Sequence, residues 1–123
     1  MTVKELYDSI GGDYEEAMTR LMTDALAARF IVKFPEDASC NDLLDAWDAH
    51  DEKAAFQAAH RAKVVCANLS LKRLAVLTSE ICEALREGNE DIRAATDVGA
   101  LVDELRKQYR RTIDAILSFA AEN

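Results

Sequence analysis

The sequence predicts an all-α protein, an up-down-up-down four-helix bundle with two short accessory helices, built as one domain over residues 1–123. Three observations carry this expectation. Only four glycines and one proline punctuate the chain, which is too little for a many-stranded sheet and suits long helices. Half of the residues are hydrophobic, and a chain of this length can bury most of its apolar surface without staples. Apolar residues also recur at helical spacing through four long stretches, with no internal repeat, linker or low-complexity segment between them.

The elements follow in order. A short helix over residues 2–10 ends at Gly11-Gly12, which supply the backbone freedom of a helix stop. Asp13 is a cap for the next helix, and Glu15 and Glu16 favour its positive end. That helix carries Met18, Leu21, Met22, Ala25 and Ala28 on one face and runs to Phe34, where Pro35 forbids continuation. A second short helix over 41–49 holds Leu43, Leu44 and Trp47, the last expected as a lid anchor on the bundle. The next long helix starts near the cap Asp51 and reaches Leu69, with a turn at Ser70. Leu74, Leu77 or Thr78, Ile81 and Leu85 mark a helix over 71–87, stopped by Gly88-Asn89. After a polar connection, Asp97 caps a last helix whose stripe runs through Val98, Leu101, Val102, Leu105, Tyr109, Ile113, Ile116 and Ala120.

Composition excludes several function classes. A formal net charge of -8 opposes binding to nucleic acid and to anionic membrane surfaces. No apolar run approaches the ~20 residues of a membrane span, and the N-terminus lacks a basic region followed by an apolar stretch. A cytoplasmic monomer is expected. Cys40, Cys66 and Cys82 are odd in number and distant in sequence, which fits neither a disulfide framework nor a zinc pattern. They read as small buried hydrophobes. A metal or redox centre would require His50, His60 and the cysteines to converge, yet they fall on different elements and faces. His50 reads as a loop residue before a helix start.

The helix over 51–69 holds the informative residue. At ~100° per residue its apolar side centres near Ala59, with Ala55, Phe56, Ala62, Cys66 and Leu69 around it. His60 lies about a quarter-turn from that centre, at the solvent boundary. Lys53, Gln57 and Val64 lie beside it or further out. Helical side chains lean toward the N-terminus, so Val64 is expected to lean onto the His60 ring, with Lys63 able to swing its ammonium toward it. From Lys53 to Ser79 there are five basic residues, Lys53, Arg61, Lys63, Lys72 and Arg73, and no Asp or Glu. The remainder of the chain keeps ten basic against twenty-three acidic residues. A basic hairpin on an acidic protein suits an anionic partner surface or a phosphoryl group.

A histidine followed at the third position by lysine, in "AHRAKV" and then "NLS", resembles the histidine-containing phosphotransfer domain family. The family pattern is Ala-His-x-x-Lys-Gly with a Leu-Gly pair five residues further on. Ala59, His60, Lys63 and Leu69 match it, while Val64 and Ser70 stand where the family has its two glycines. Helix order and length extend the resemblance over nearly the whole chain, and Phe30 and Phe34 suit the preceding helix; its specific part is residues 59–70.

The resemblance implies that His60 accepts a phosphoryl group from the aspartyl phosphate of a response-regulator receiver domain and passes it to another. Lys63 would then be the cation that stabilises the phosphoryl oxygens, and Lys53, Gln57, Arg61, Val64, Lys72 and Arg73 would dock the receiver or a histidine kinase. No cofactor or metal of the module's own is implied, because phosphoryl transfer is largely positioning and charge neutralisation. The first family glycine leaves room for an incoming receiver, and Val64 fills that place. It therefore favours a second reading: a phosphotransfer-inactive interaction module that binds or sequesters a receiver or kinase.

Overall fold

The computed structural model describes residues 1–122. Among them are eight α-helices, one 3-10 turn and no strand, with no helix long and apolar enough to cross a membrane. The helices are α1 (Val3–Ser9), α2 (Tyr14–Leu21), α3 (Asp24–Ile31), α4 (Ser39–Asp48), α5 (Glu52–Asn68), α6 (Lys72–Leu85), α7 (Glu90–Ala95) and α8 (Val98–Glu122).

Helix starts follow the side chains that can satisfy free backbone N–H groups. Thr2 and Glu5 form a reciprocal capping box on α1. Asp13 accepts from the Glu16 N–H at 3.0 Å, Asp51 from Ala54 at 3.0 Å, and Asp97 from Ala100 at 3.0 Å. These three carboxylates begin α2, α5 and α8 where expected.

The helix expected over 13–34 is two helices. Met22 adopts φ 72°, and Thr23 then turns extended and caps α3 by accepting from the Leu26 N–H at 3.1 Å. The break resets the phase of the apolar stripe: Ala17, Ala27 and Ile31 are buried, whereas Met22 is 77 % exposed. The chain leaves α3 through a 3-10 turn at Phe34–Glu36, with Pro35 inside it. The polar connection expected after Gly88 contains the six-residue α7, which buries no residue.

Three long helices remain, and the short α4 is a packing partner as well as a cover. It lies along α5, burying Cys40, Leu43 and Leu44, and α5 packs on its other flank against α6. Helix α6 packs in turn on α8, which also touches α4. The buried face of α5 consists of Ala55, Ala58, Ala59, Ala62 and Cys66. Such small side chains let the two neighbouring helices approach α5 closely on both sides.

The turn between α5 and α6 is gripped by the N-terminal helices. Ser70 sits there at φ 55°, a left-handed conformation that favours glycine, and is buried. Its Oγ donates to Glu16 Oε1 at 3.0 Å, and its carbonyl accepts from the Asp13 N–H at 2.9 Å. Tyr7 Oη donates to the Leu69 carbonyl at 3.0 Å, the Arg73 N–H to the Gly11 carbonyl at 3.1 Å, and Arg20 to the Ala67 carbonyl. Burial pushes the Tyr7 phenol up to about 12, so it remains a donor at physiological pH.

Gly12 is packed into this grip. A Cβ there would stand 2.7 Å from Tyr7 Cδ1 and 3.3 Å from the Ser70 carbonyl oxygen. Gly12→Ala is expected to displace the Tyr7 ring and cost about 1–3 kcal/mol, the range of an overpacked core position. Thermal or urea unfolding measures this, and an unchanged midpoint would show that the contact is loose.

Candidate functional site

The α5 helix carries its candidate residues on the strip left free by α4 and α6. Lys53, Gln57, His60, Arg61 and Val64 are all exposed, as the angular reading of the helix requires. His60 sits in the middle of a 17-residue helix rather than on a loop, so its Cα is held by intrahelical bonds on both sides. Its ring forms no hydrogen bond or ion pair with a carboxylate among the described residues.

The neighbour of the His60 ring is Phe56, one turn earlier. The two ring centroids are 6.5 Å apart and the planes differ by 17°, an offset parallel arrangement. Phe56 is half-buried against the core, and on it lies the Arg86 guanidinium from the end of α6, 5.2 Å from the ring centroid. Arg86 is itself paired with Glu83 at 3.1 Å. The spacing of Phe56 and His60 by four residues was legible as a same-side pair, but the contribution of Arg86 is tertiary and had no local signal.

The structure divides the expected residues between grooves. His60, Arg61 and Val64 border an open groove of about 460 Å³ that runs to the start of α4, where Asp37, Ser39 and Asp42 line it. Lys63 and Lys72 border another, of about 340 Å³, between α5 and α6, with Ala67, Ala75 and Val76. Lys63 is thus half-buried on the α6 side of His60, and its charge acts on α6. The Glu83 carboxyl is held below its usual range chiefly by the hydrogen bond from Arg86, with Lys63 adding to it. Val64 is 45 % exposed and flanks the same groove as the imidazole.

Two of the five cations of the α5–α6 hairpin are paired with carboxylates of other elements. Arg61 pairs with Asp42 of α4 at 3.2 Å and Lys72 approaches Glu16 of α2 at 3.8 Å. The Arg73 stem packs over Gly11, where an added Cβ would meet Arg73 Cβ at 3.1 Å. The absence of carboxylates between residues 53 and 79 is therefore offset in part by carboxylates from other elements. Both ion pairs are exposed and so worth about 0–1 kcal/mol.

All three cysteines are buried. Cys40 and Cys66, far apart in sequence, meet where α4 packs on α5. Hydrogen bonding with Cys40, then burial, push the Cys66 thiol far above its ordinary value, and burial raises Cys82. His50 stands at φ 60° in the exposed α4–α5 turn, away from them. Among the described residues no three His, Cys, Asp or Glu side chains are grouped as a metal site would need.

No family model, no curated protein and no solved structure matches this chain.

The raised Cys66 and Cys82 thiols hold little of the thiolate that reacts at neutral pH, and burial blocks access to all three cysteines. An aromatic disulfide reagent is expected to titrate none of the three cysteines in the folded protein and all three in denaturant. Rapid reaction of Cys66 in the native state would contradict this placement.

Proposed function

We propose that the chain is a histidine phosphotransfer module of a two-component phosphorelay, with His60 as the phosphoacceptor. The observation that carries the reading is an exposed imidazole at the middle of a rigid helix, bonded to no carboxylate among the described residues, with Lys63 one turn further on. Helix α4, expected as an accessory, takes the place of the helix expected over 13–34: α4, α5, α6 and α8 pair in sequence, a packing that suits an up-down-up-down bundle, while α1–α3 and α7, rather than two short helices, lie outside it. Ser70 supports it too: it holds the left-handed conformation at the place where the family pattern has glycine.

The reaction needs little from the module beyond position and charge. A neutral imidazole nitrogen directs its lone pair at phosphorus, the N–P bond forms, and the P–O bond of the receiver's aspartyl phosphate breaks. The aspartate leaves as a carboxylate and no proton has to move. The receiver brings its own acidic residues and metal, and Lys53, Arg61 and Lys72 meet that surface with opposite sign. Lys63 serves the phosphoryl oxygens. Its flexible stem lets the ammonium turn from the α6 side toward a dianion on His60.

His60→Gln is expected to abolish labelling from a phosphorylated receiver, while His50→Gln keeps it, and the label should be acid-labile and alkali-stable. Lys63→Ala should slow transfer about 10–100-fold, the worth of one charge-assisted hydrogen bond, and leave the unfolding midpoint nearly unchanged. Label that survives His60→Gln would place the chemistry elsewhere.

Val64 supports the second reading, an interaction module that binds a receiver or kinase without chemistry. Its isopropyl group flanks the His60 groove at the position of the family glycine, where it narrows the approach. If it gates a competent site, Val64→Gly speeds transfer although glycine in an exposed helix interior costs about 1 kcal/mol. If Val64 is a docking contact, the substitution weakens binding and slows transfer together. Receiver binding without label in either protein would leave the interaction module as the function.

A further inference from the structure

We propose that Phe56 is the positioning residue of His60: its ring fixes the plane of the imidazole, and Arg86 fixes Phe56 in turn. The inference rests on His60 being the phosphoacceptor, and it names the part of the fold that orients the nucleophile.

The geometry points to a chain of neighbouring groups, Arg86, Phe56 and His60, running from α6 to α5. The His60 ring lies parallel to Phe56 within 17°, at a centroid separation of 6.5 Å. Phe56 packs against the core, so its own plane is set by the fold. The Arg86 guanidinium covers Phe56 at 5.2 Å and is held by Glu83 at 3.1 Å, with Cys82 Sγ 3.9 Å from the same guanidinium nitrogen. The order therefore passes from the end of α6 through Phe56 to an exposed ring on α5.

An exposed histidine without such a neighbour exchanges rotamers on the picosecond-to-nanosecond scale. In-line transfer requires the nitrogen lone pair to point along the breaking bond, so each rotamer that turns it aside is unproductive. A near-parallel aromatic ring beside the imidazole disfavours rotamers that would run into it, while the exposed ring stays open to solvent. Arg86 adds a second effect: it brings a positive charge to the α6 side of the site, where Lys63 also lies. Nothing in this arrangement requires contact between Phe56 and the phosphoryl group.

The test uses phosphoramidate, a small donor that needs no docking surface. The imidazole lone pair forms a new N–P bond as the donor's own N–P bond breaks, and ammonia leaves with the donor's proton. Phosphorylation is followed by 31P NMR in wild type, Phe56→Tyr, Phe56→Met and Arg86→Gln, with thermal unfolding measured on each. Proton NMR between the two rings reports the stack directly, whether or not phosphoryl is transferred. The tyrosine variant, which keeps a ring, should retain both the stack and the wild-type rate. The methionine variant, of similar volume without a ring, should lose the ring contacts and slow about tenfold. Arg86→Gln, which removes no core atom, should slow two- to threefold and decides the matter should the methionine variant fail to fold. Phosphorylation of Phe56→Met or Arg86→Gln at the wild-type rate, with wild type active, would overturn the positioning role alone. A wild-type protein that takes no phosphoryl from phosphoramidate or from a receiver would overturn the phosphotransfer reading, and the positioning role with it.

Discussion

The molecule is organised by the small side chains along one face of α5. Ala55, Ala58, Ala59, Ala62 and Cys66 are each no more than 1 % exposed, and no large residue stands among them. Such a face admits α4 on one flank and α6 on the other at close range, which turns α5 into the central rod of the fold. Both flanks being occupied, a single outward strip remains, and it holds Lys53, Gln57, His60, Arg61 and Val64. The same alanines that hold the core together thus decide which side chains meet solvent. A reactive group on such a strip is positioned by helix geometry and by packing on two sides, without needing a pocket of its own.

The N-terminal helices complete this platform from one end. Tyr7, Gly11, Asp13, Glu16 and Arg20 together hold the α5–α6 turn by backbone and side-chain hydrogen bonds. Ser70 tolerates its left-handed backbone there because its hydroxyl and carbonyl are both bonded. At the opposite end Arg93 performs a comparable task for α7. It forks onto Glu52 at 3.1 and 3.2 Å and lies 5.9 Å from the centroid of the Trp47 ring, tying an otherwise unburied helix to α4 and α5. Trp47 therefore anchors a cover, although the cover is α7 as much as its own helix.

What could be read from the sequence was what local chemistry determines. Asp13, Asp51 and Asp97 announce helix starts, since a carboxylate cap acts within three residues of itself. The exposure of His60 follows from its angle on one helix. The break at Met22 was hidden because Met18, Leu21, Met22, Ala25 and Ala28 continue a plausible stripe across it. Thr23 followed by Asp24 is a cap signal that could have revealed it. The partners of the hairpin cations were not legible, because Asp42 and Glu16 reach Arg61 and Lys72 from elements distant in sequence. The same holds for Arg86 over Phe56 and for Cys40 beside Cys66. Each is a consequence of which helices lie together, and periodicity on a single helix carries no information on that.

We propose that the outward strip of α5 presents His60 to a phosphoryl donor. Mass spectrometry at alkaline pH, after incubation with a receiver domain carrying aspartyl phosphate, tests it most directly. The account predicts one added phosphoryl group per chain, located by fragmentation on the imidazole of His60. A phosphoryl group on any other residue, or none on a protein that nonetheless binds the receiver, would contradict it.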